Sequence, residues 1–540
     1  MKFNAQLLPI LLLMAISCTQ QPEKTNRPPN IVFIMTDDHA YQAISAYGST
    51  LIETPNIDRL AAEGVRFDKS FVTNSICSPS RATALTGKFS HLNGVRDNLD
   101  VFDSTQMTFP KILQAHNYHT AVIGKWHLKS EPTGFDFWKV LPDQGHYYNP
   151  EFRTPKGIEA TQGYVTDQIT TAALDYLDEI QNTEKPFLLM YHHKAPHRQW
   201  WPSMDDLNAY RSTVFPVPTT LFDTYENRGQ AAKTAEMRIA DHMALSADNK
   251  IKPELLEKMN INEFSDWYTT AYTERYNRLN ATEQKQWDAV YDPINSQFEN
   301  SLLEGDRLTR WKYQRYLEDY LGSLRSVDRN IGRLLTYLDE HNLTENTLVV
   351  YTSDQGFYLG EHGWFDKRLM YEPSFRTPLI MRLPSRIPPG TVNKHLVQNI
   401  DYAPTFLDLA NITIPKEMQG KSLVPLFEKN SEPWRDELYY HYYEYPGIHM
   451  VKRHYGIRTE RYKLIHFYYD VDEWELYDLA RDPEEMNNVY GTKEYQIVQE
   501  ELHQRLNKLR TKYGDNSDTQ NQYYIDKDIQ RLKDMGWYKE

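Results

Sequence analysis

Four short apolar runs punctuate the chain, and each ends abruptly in polar residues. Asn30-Ile31-Val32-Phe33-Ile34-Met35 runs into Thr36-Asp37-Asp38, and Thr120-Ala121-Val122-Ile123-Gly124 into Lys125-Trp126-His127. Phe187-Leu188-Leu189-Met190-Tyr191 precedes the histidine-rich stretch 192–197, and Thr347-Leu348-Val349-Val350-Tyr351 precedes Ser353-Asp354-Gln355-Gly356. Unbroken apolar runs of this length are the pattern of buried strands. Helical spacing lies between them. Thr54-Pro55 starts one helix, with proline at the first position and Ile57, Leu60 and Ala61 on one face. Leu317, Leu321, Leu324, Val327, Ile331, Leu334 and Leu338 recur at threes and fours, which predicts a long amphipathic helix just before the fourth strand. The alternation predicts an α/β fold. In open α/β sheets ligands sit outside the carboxyl ends of the strands, so the four polar runs are candidates to meet at one site.

The pattern also divides the chain. Residues 29–430 form the main unit, interrupted at 205–310 by a polar, helix-rich insertion containing Trp267 and Trp287. From about Trp434 the periodicity changes. Residues 439–443, 455–459, 462–467 and 474–477 read as short strands and 497–513 as a helix, giving a C-terminal subdomain at 431–520. Residues 521–540 read as a loose tail. At the other end, Lys2 precedes an apolar stretch at 7–16 too short to span a bilayer.

Composition narrows the function. With 40% hydrophobic and 25% charged residues the chain can bury a large core, which excludes wholesale disorder. The net charge of -14 argues against nucleic acid as a partner; an anionic substrate requires a locally positive pocket. The two cysteines are Cys18 and Cys77. The ending Ala15-Ile16-Ser17-Cys18 resembles a bacterial lipoprotein signal. That resemblance implies a signal peptide at 1–17, a lipid anchor on Cys18, a tether to residue 28, and an address in the periplasm or outer membrane of a Gram-negative bacterium. Cys77 is then the one cysteine of the folded body. A lone thiol outside the cytosol calls for a chemical reason.

Cys77-Ser78-Pro79-Ser80-Arg81, followed by Leu85-Thr86-Gly87-Lys88, resembles the formylglycine signature of type I sulfatases. The resemblance extends from about residue 28 to about residue 515. It implies an alkaline-phosphatase-like sandwich, with a large mixed sheet between helices and a small C-terminal antiparallel sheet carrying a helix. It also implies that a maturation enzyme oxidises Cys77 to the aldehyde, whose hydrate is the nucleophile. Asp37, Asp38, Asp354 and Gln355 match the family's metal ligands, together with residue 77. An oxygen donor set suits one Ca²⁺. Gln355 stands where many sulfatases carry Asn or His. Lys125, Lys367 and Arg81 match the cations that stabilise the sulfate. His197 matches the general acid facing the leaving group, and His127 the base of the second step.

Gln144-Gly145-His146-Tyr147-Tyr148-Asn149-Pro150, the stretch 192–198, His441-Tyr442-Tyr443-Glu444-Tyr445-Pro446 and Lys452-Arg453-His454-Tyr455-Gly456 are similar to segments of bacterial N-acetylglucosamine-6-O-sulfatases. The likeness makes Asp366, Arg368 and His454 candidates to hold sugar hydroxyls. An ulvan sulfatase, a phosphate or phosphonate ester hydrolase of the same superfamily, and a non-catalytic glycan-binding lipoprotein are the alternatives. The last predicts that a catalytic residue is missing, and every one is present.

Overall fold

The computed structural model describes residues 27–427, 433–515, 522–534 and 536. The expected signal, Cys18 and most of the expected tether lie outside the described residues. Among the described residues no helix is long and apolar enough to cross a membrane.

The main unit is built on a ten-stranded sheet. In chain order its strands are β1 Asn30–Thr36, β2 Val65–Phe67, β3 His119–Lys125, β4 Phe137–Leu141, β5 Glu151–Thr154, β6 Gly157–Ala160, β7 Phe187–His192, β8 Thr347–Ser353, β9 Leu379–Arg382 and β10 Thr391–Asn393. They lie in the order β10-β2-β9-β8-β1-β7-β3-β4-β5-β6. The central strands β8, β1, β7 and β3 are mutually parallel. β9 runs antiparallel to both of its neighbours, β8 and β2. The four apolar runs read from the sequence are therefore adjacent, and their carboxyl ends share one edge.

Side chains alternate between the two faces of a strand, and both faces are covered. The helices used below are α1 Pro55–Ala62, α2 Cys77–Thr86, α3 Val165–Ile180, α4 Ala281–Ser301, α5 Gly305–Glu340, α6 Tyr402–Leu409, α7 Gln496–Tyr513 and α8 Gln522–Asp534. Ile31, Phe33, Val122, Leu188 and Val350 pack with Ala82 and Leu85 of α2 and Phe406 of α6. Val32, Ile34, Ile123, Leu189 and Val349 pack with α1, α3 and α5 through Leu60, Ile169, Val327 and Ile331. This sandwich is the expected fold class. The insertion is anchored by Trp287 of α4, which stacks between Trp201 at 4.0 Å and Tyr291 at 4.1 Å.

The C-terminal unit is a four-stranded antiparallel sheet in sequential order: β11 Glu437–Tyr442, β12 His454–Thr459, β13 Tyr462–Phe467 and β14 Glu473–Asp478. Leu502, Leu506 and Leu509 of α7 seal it against Tyr439, Leu464 and Leu476. The reading of 521–540 as a loose tail needs correction, because α8 lies within it. Leu532 is buried, and Asp528 pairs with Arg96 at 3.4 Å and Arg453 at 3.6 Å. Arg531 pairs with Asp97 and Asp100.

Candidate active site

The nucleophile candidate opens a helix. Cys77 is the first residue of α2, and every residue of that helix is buried. Pro79 sits in the first turn, where the missing N–H had no intrahelical partner to lose. Arg81, four residues on, falls on the same face as Cys77. Its guanidinium meets Asp354 at 2.9 and 3.0 Å and donates to the Lys125 carbonyl at 2.9 Å. Ser80 Oγ donates to the Asp354 carbonyl. Ser78 N donates to Asn98 Oδ1 at 3.0 Å and Ser78 Oγ to the His127 carbonyl at 2.6 Å. The signature thus ties the helix to the ends of β3 and β8.

Around Cys77 the strand ends converge as expected. Its Sγ lies 3.4 Å from Asp37 Oδ1 and 3.7 Å from Gln355 Nε2. Asp37 pairs with Lys125, and Lys125 Nζ also donates to Gln144 Oε1 at 2.6 Å. Asp38 pairs with Lys367 at 2.7 Å. His197 Nε2 lies 3.9 Å from Asp38 Oδ2. His127 Nε2 faces Asp143 at 3.5 Å and the Gln144 amide at 3.0 Å. Gly124 precedes Lys125 with φ +102°, and a Cβ there would stand 1.9 Å from the His192 carbonyl, so β3 and β7 can approach this closely only at a glycine.

Asp37, Asp38 and Asp354 bring carboxylate oxygens within 4.8 Å of one another, all buried. Burial alone would raise Asp37, but Lys125, His197 and Arg81 hold it well below the usual carboxylate range. Burial, with Asp37 and Asp366 nearby, pushes Asp38 up to about 6 despite Lys367. Burial and Asp37 push Asp354 up to about 8 despite Arg81. Gln355 Oε1 is buried without a hydrogen-bond partner. Three crowded carboxylates and an orphaned amide oxygen form a hard-cation donor set, so the residues present fit a divalent metal. Burial pushes the Cys77 thiol up, so the unmodified side chain is not a thiolate. Burial and Lys125 lower His127 to about 4.

A second polar group borders Lys367. Arg368 lies 3.6 Å from Asp366 and 3.4 Å from Glu444, and His449 Nε2 lies 3.3 Å from Asp366. Arg368 Nε and Nη1, Glu444 Oε1 and His449 Nε2 are buried without hydrogen-bond partners. Asp38, His127, Asp366, Arg368 and His449 all have left-handed φ, between 57° and 105°. Strain of this kind persists where surrounding structure enforces it, as at functional sites.

His454 is not part of this group, and its assignment as a sugar ligand is withdrawn. It is fully buried between Tyr440, Tyr442 and Phe467. Its Nδ1 faces the Lys452 carbonyl at 2.7 Å and its Nε2 accepts from Met370 N at 3.1 Å, which leaves no atom for a ligand. His449 occupies the place expected of it. Gln144 and Glu444 lie in segments read as similar to N-acetylglucosamine-6-O-sulfatases but were not singled out there, and Asn98 was missed; all three come from loops without periodicity, and their contacts give them their place.

A nucleophile-bearing helix end, three cations and an oxygen donor set at the edge of this sheet define a hydrolase of esters of a tetrahedral anion. The Sulfatase family model matches residues 29–412, and the model for the C-terminal part of N-sulphoglucosamine sulphohydrolase matches residues 360–512. The chain belongs to the sulfatase family and is a sulfuric ester hydrolase. Members of the family generally use a formylglycine and a divalent metal ion. The chain is 47% identical over 532 residues to the N-acetylglucosamine-6-O-sulfatase of Bacteroides thetaiotaomicron, covering 97% of this chain and 94% of that protein. The solved structure of BT4656 in complex with its substrate D-glucosamine-2-N,6-O-disulfate superposes with a TM-score of 0.87 at 48% identity, over 91% of this chain and 99% of that one. The ulvan-active sulfatase of Formosa agariphila is 27% identical over 530 residues, 94% of this chain and 85% of that protein.

Proposed function

We propose that this enzyme removes the 6-O-sulfate of N-acetylglucosamine or its N-sulfated counterpart in saccharides released from sulfated polysaccharides. The observation that carries this reading is the complete assembly of Cys77, Asp37, Asp38, Asp354, Arg81, Lys125, Lys367 and His127, buried, with the partly buried His197 beside them, in a chain 47% identical to an N-acetylglucosamine-6-O-sulfatase.

The charges explain the choice of sulfate. Asp37 with Lys125, Asp38 with Lys367 and Asp354 with Arg81 form three matched pairs. Asp37, Asp38, Asp354 and Gln355 would hold a divalent cation such as Ca²⁺, which would supply positive charge to the sulfate oxygens. Residue 77, oxidised by a maturation enzyme to formylglycine and hydrated, supplies the nucleophilic hydroxyl. Lys125, Lys367 and Arg81 then face charge that grows on the sulfate oxygens as the ester bond breaks, which makes them worth more in the transition state than in the ground state. Burial keeps His197 neutral in the free site, and an entering sulfate anion reverses that balance, so His197 carries a proton to the departing sugar oxygen. His127, lowered to about 4, is neutral at pH 7 and can accept a proton at residue 77 when sulfate departs. Arg368, Glu444 and His449, whose side chains carry polar atoms without a hydrogen bond, together with the Asp366 carboxylate beside them, are the groups that would meet sugar hydroxyls. The resemblance of Ala15-Ile16-Ser17-Cys18 to a lipoprotein signal supports an enzyme anchored through Cys18 in the periplasm or on the outer membrane.

The test is sulfate release by protein co-expressed with a maturation enzyme, with Cys77→Ala as control. Release from N-acetylglucosamine-6-sulfate, lost in the control, is expected. Release from ulvan oligosaccharides only, or hydrolysis of phosphate esters only, would overturn the substrate assignment.

A further inference from the structure

Helix α8 takes no part in the chemistry above, yet its contacts lead back to the polar group beside Lys367 by two routes. The first runs through Arg531, whose guanidinium pairs with Asp97 through one nitrogen and with Asp100 through another. Asp97 is buried, and Arg531 is its one ion-pair partner among the described residues. Asp97 Oδ1 accepts from Leu99 N at 2.8 Å and Asp100 N at 3.0 Å, and Asp100 Oδ2 accepts from Arg96 N at 2.8 Å. The two carboxylates thus fold the loop 96–100 around themselves. Asn98 stands at its centre. Its N donates to Glu444 Oε2 at 3.2 Å, and its Oδ1 accepts from Ser78 N, next to Cys77, at 3.0 Å.

The second route runs through Asp528. It lies 3.6 Å from Arg453, whose Nε donates to the Tyr445 carbonyl at 2.8 Å. Tyr445 directly follows Glu444. One route therefore holds the Glu444 carboxylate and the other the backbone that carries it. Among the described residues Asn98 N is the one hydrogen-bond donor to that carboxylate, and Oε1 is left 3.4 Å from Arg368 without a hydrogen bond. The direction of Glu444 thus depends on the shape of the loop 96–100. That loop has no regular secondary structure, so its side-chain contacts set its shape. Without Arg531 the Asp97 and Asp100 carboxylates would crowd each other beside Glu444. Burial, with Asp100 and Glu444 nearby, already pushes Asp97 up to about 7 despite Arg531.

We propose that Arg531 is a positioning residue for the sugar: by pinning Asp97 and Asp100 it sets Asn98, which aims the Glu444 carboxylate, while Asp528 fixes the same segment through Arg453. The proposal rests on the function above, because it takes Glu444 as a sugar contact.

The experiment is calorimetric binding to the non-hydrolysing Cys77→Ala protein, alone and with Arg531→Gln, Arg531→Lys or Glu444→Gln added. Two probes are compared: N-acetylglucosamine-6-sulfate, and inorganic sulfate, which meets the cations of the reaction centre but has no hydroxyl for Glu444. Arg531→Gln is expected to weaken the sugar about tenfold, the loss of one charge-assisted hydrogen bond, and sulfate less than about threefold. Arg531→Lys keeps the charge and is expected to limit the loss to about threefold. With Glu444→Gln already present, Arg531→Gln is expected to cost less than about twofold more, because the group through which it acts is gone. Equal weakening of sugar and sulfate, an unweakened sugar, or a full tenfold loss on top of Glu444→Gln overturns the proposal. If melting curves show that Arg531→Gln does not fold, Asp528→Asn cuts the other route and carries the same comparison. Sulfate release from N-acetylglucosamine-6-sulfate by the matured parent separately reports the function, so the two ideas fail independently.

Discussion

Removing the divalent ion should be readable as lost thermal stability, and the structure sets the size. Asp37, Asp38 and Asp354 hold oxygens within 4.8 Å of one another. At an effective dielectric constant of about 20, two unit charges at that separation repel by roughly 3.5 kcal/mol. Arg81, Lys125 and Lys367 offset part of this, and burial with the remaining crowding pushes Asp38 up to about 6 and Asp354 up to about 8. A cation that binds only the folded chain relieves the crowding. At a thousandfold excess over its Kd it stabilises the fold by about 4.1 kcal/mol. At about 2.1 cal/mol/K per residue, a chain of 540 residues unfolds with an entropy near 1.1 kcal/mol/K, so the shift in Tm is about 4 °C. The assay is scanning calorimetry in EDTA against saturating calcium. Gln355→Leu is the sharper variant, because it removes one oxygen donor and leaves all three ion pairs intact. A ten- to hundredfold loss of affinity, about 1.4–2.7 kcal/mol, should cut the calcium shift to about 1–3 °C. A melting temperature indifferent to calcium and EDTA, or a Gln355→Leu protein that responds as the parent does, would refute the donor set.

Three further outcomes are expected. Cys77→Ala should reduce sulfate release to background while leaving Tm within about 2 °C, because truncating one small buried side chain costs little beside losing the nucleophile; a variant that keeps a tenth of the parent rate would count against residue 77. Arg198→Ala should lower Tm by about 3–5 °C, since Asp248, held by Arg198 at 2.7 and 2.8 Å, would remain buried without its partner at a cost of about 3–5 kcal/mol; calorimetry showing no change would contradict this. Burial lowers His441 from the ordinary 6.5 to about 4, so as pH falls from 6.5 to 5 the unfolded chain takes a proton that the fold refuses. The loss is about 2 kcal/mol, or about 2 °C, and His441→Gln should flatten the Tm–pH curve by that amount; parallel curves would show that His441 does not contribute.

Much of the reaction centre was legible because it is written in contiguous pieces. Asp37 and Asp38, Lys125 and His127, and Asp354 and Gln355 directly follow apolar strands. The parallel pairing of β8, β1, β7 and β3 then obliges those ends to meet. Cys77 and Arg81 are joined by a single helical turn. The docking of α8 was not legible. Asp528 and Arg531 hold it to Arg96, Arg453, Asp97 and Asp100, residues remote in sequence that no periodicity connects.

The misplaced histidine shows where such reasoning stops. His449 and His454 are five residues apart and chemically alike. His454 opens β12, whose register against β11 and β13 sets it opposite Tyr442 and Phe467 and encloses its ring. His449 lies outside the strands with φ +67°, and its Nδ1 is held 2.7 Å from the Glu236 carbonyl, which turns Nε2 toward Asp366. That carbonyl belongs to the insertion, more than two hundred residues upstream. The sulfate chemistry is carried by strand ends and a helix start, which local sequence encodes. Of the candidate sugar contacts, Asp366, Arg368 and His449 sit at left-handed positions that surrounding structure holds. The sequence therefore pointed to the sulfatase and, through segments similar to N-acetylglucosamine-6-O-sulfatases, to Asp366 and Arg368, but it could not choose between His449 and His454, because tertiary contacts that no local pattern records position them.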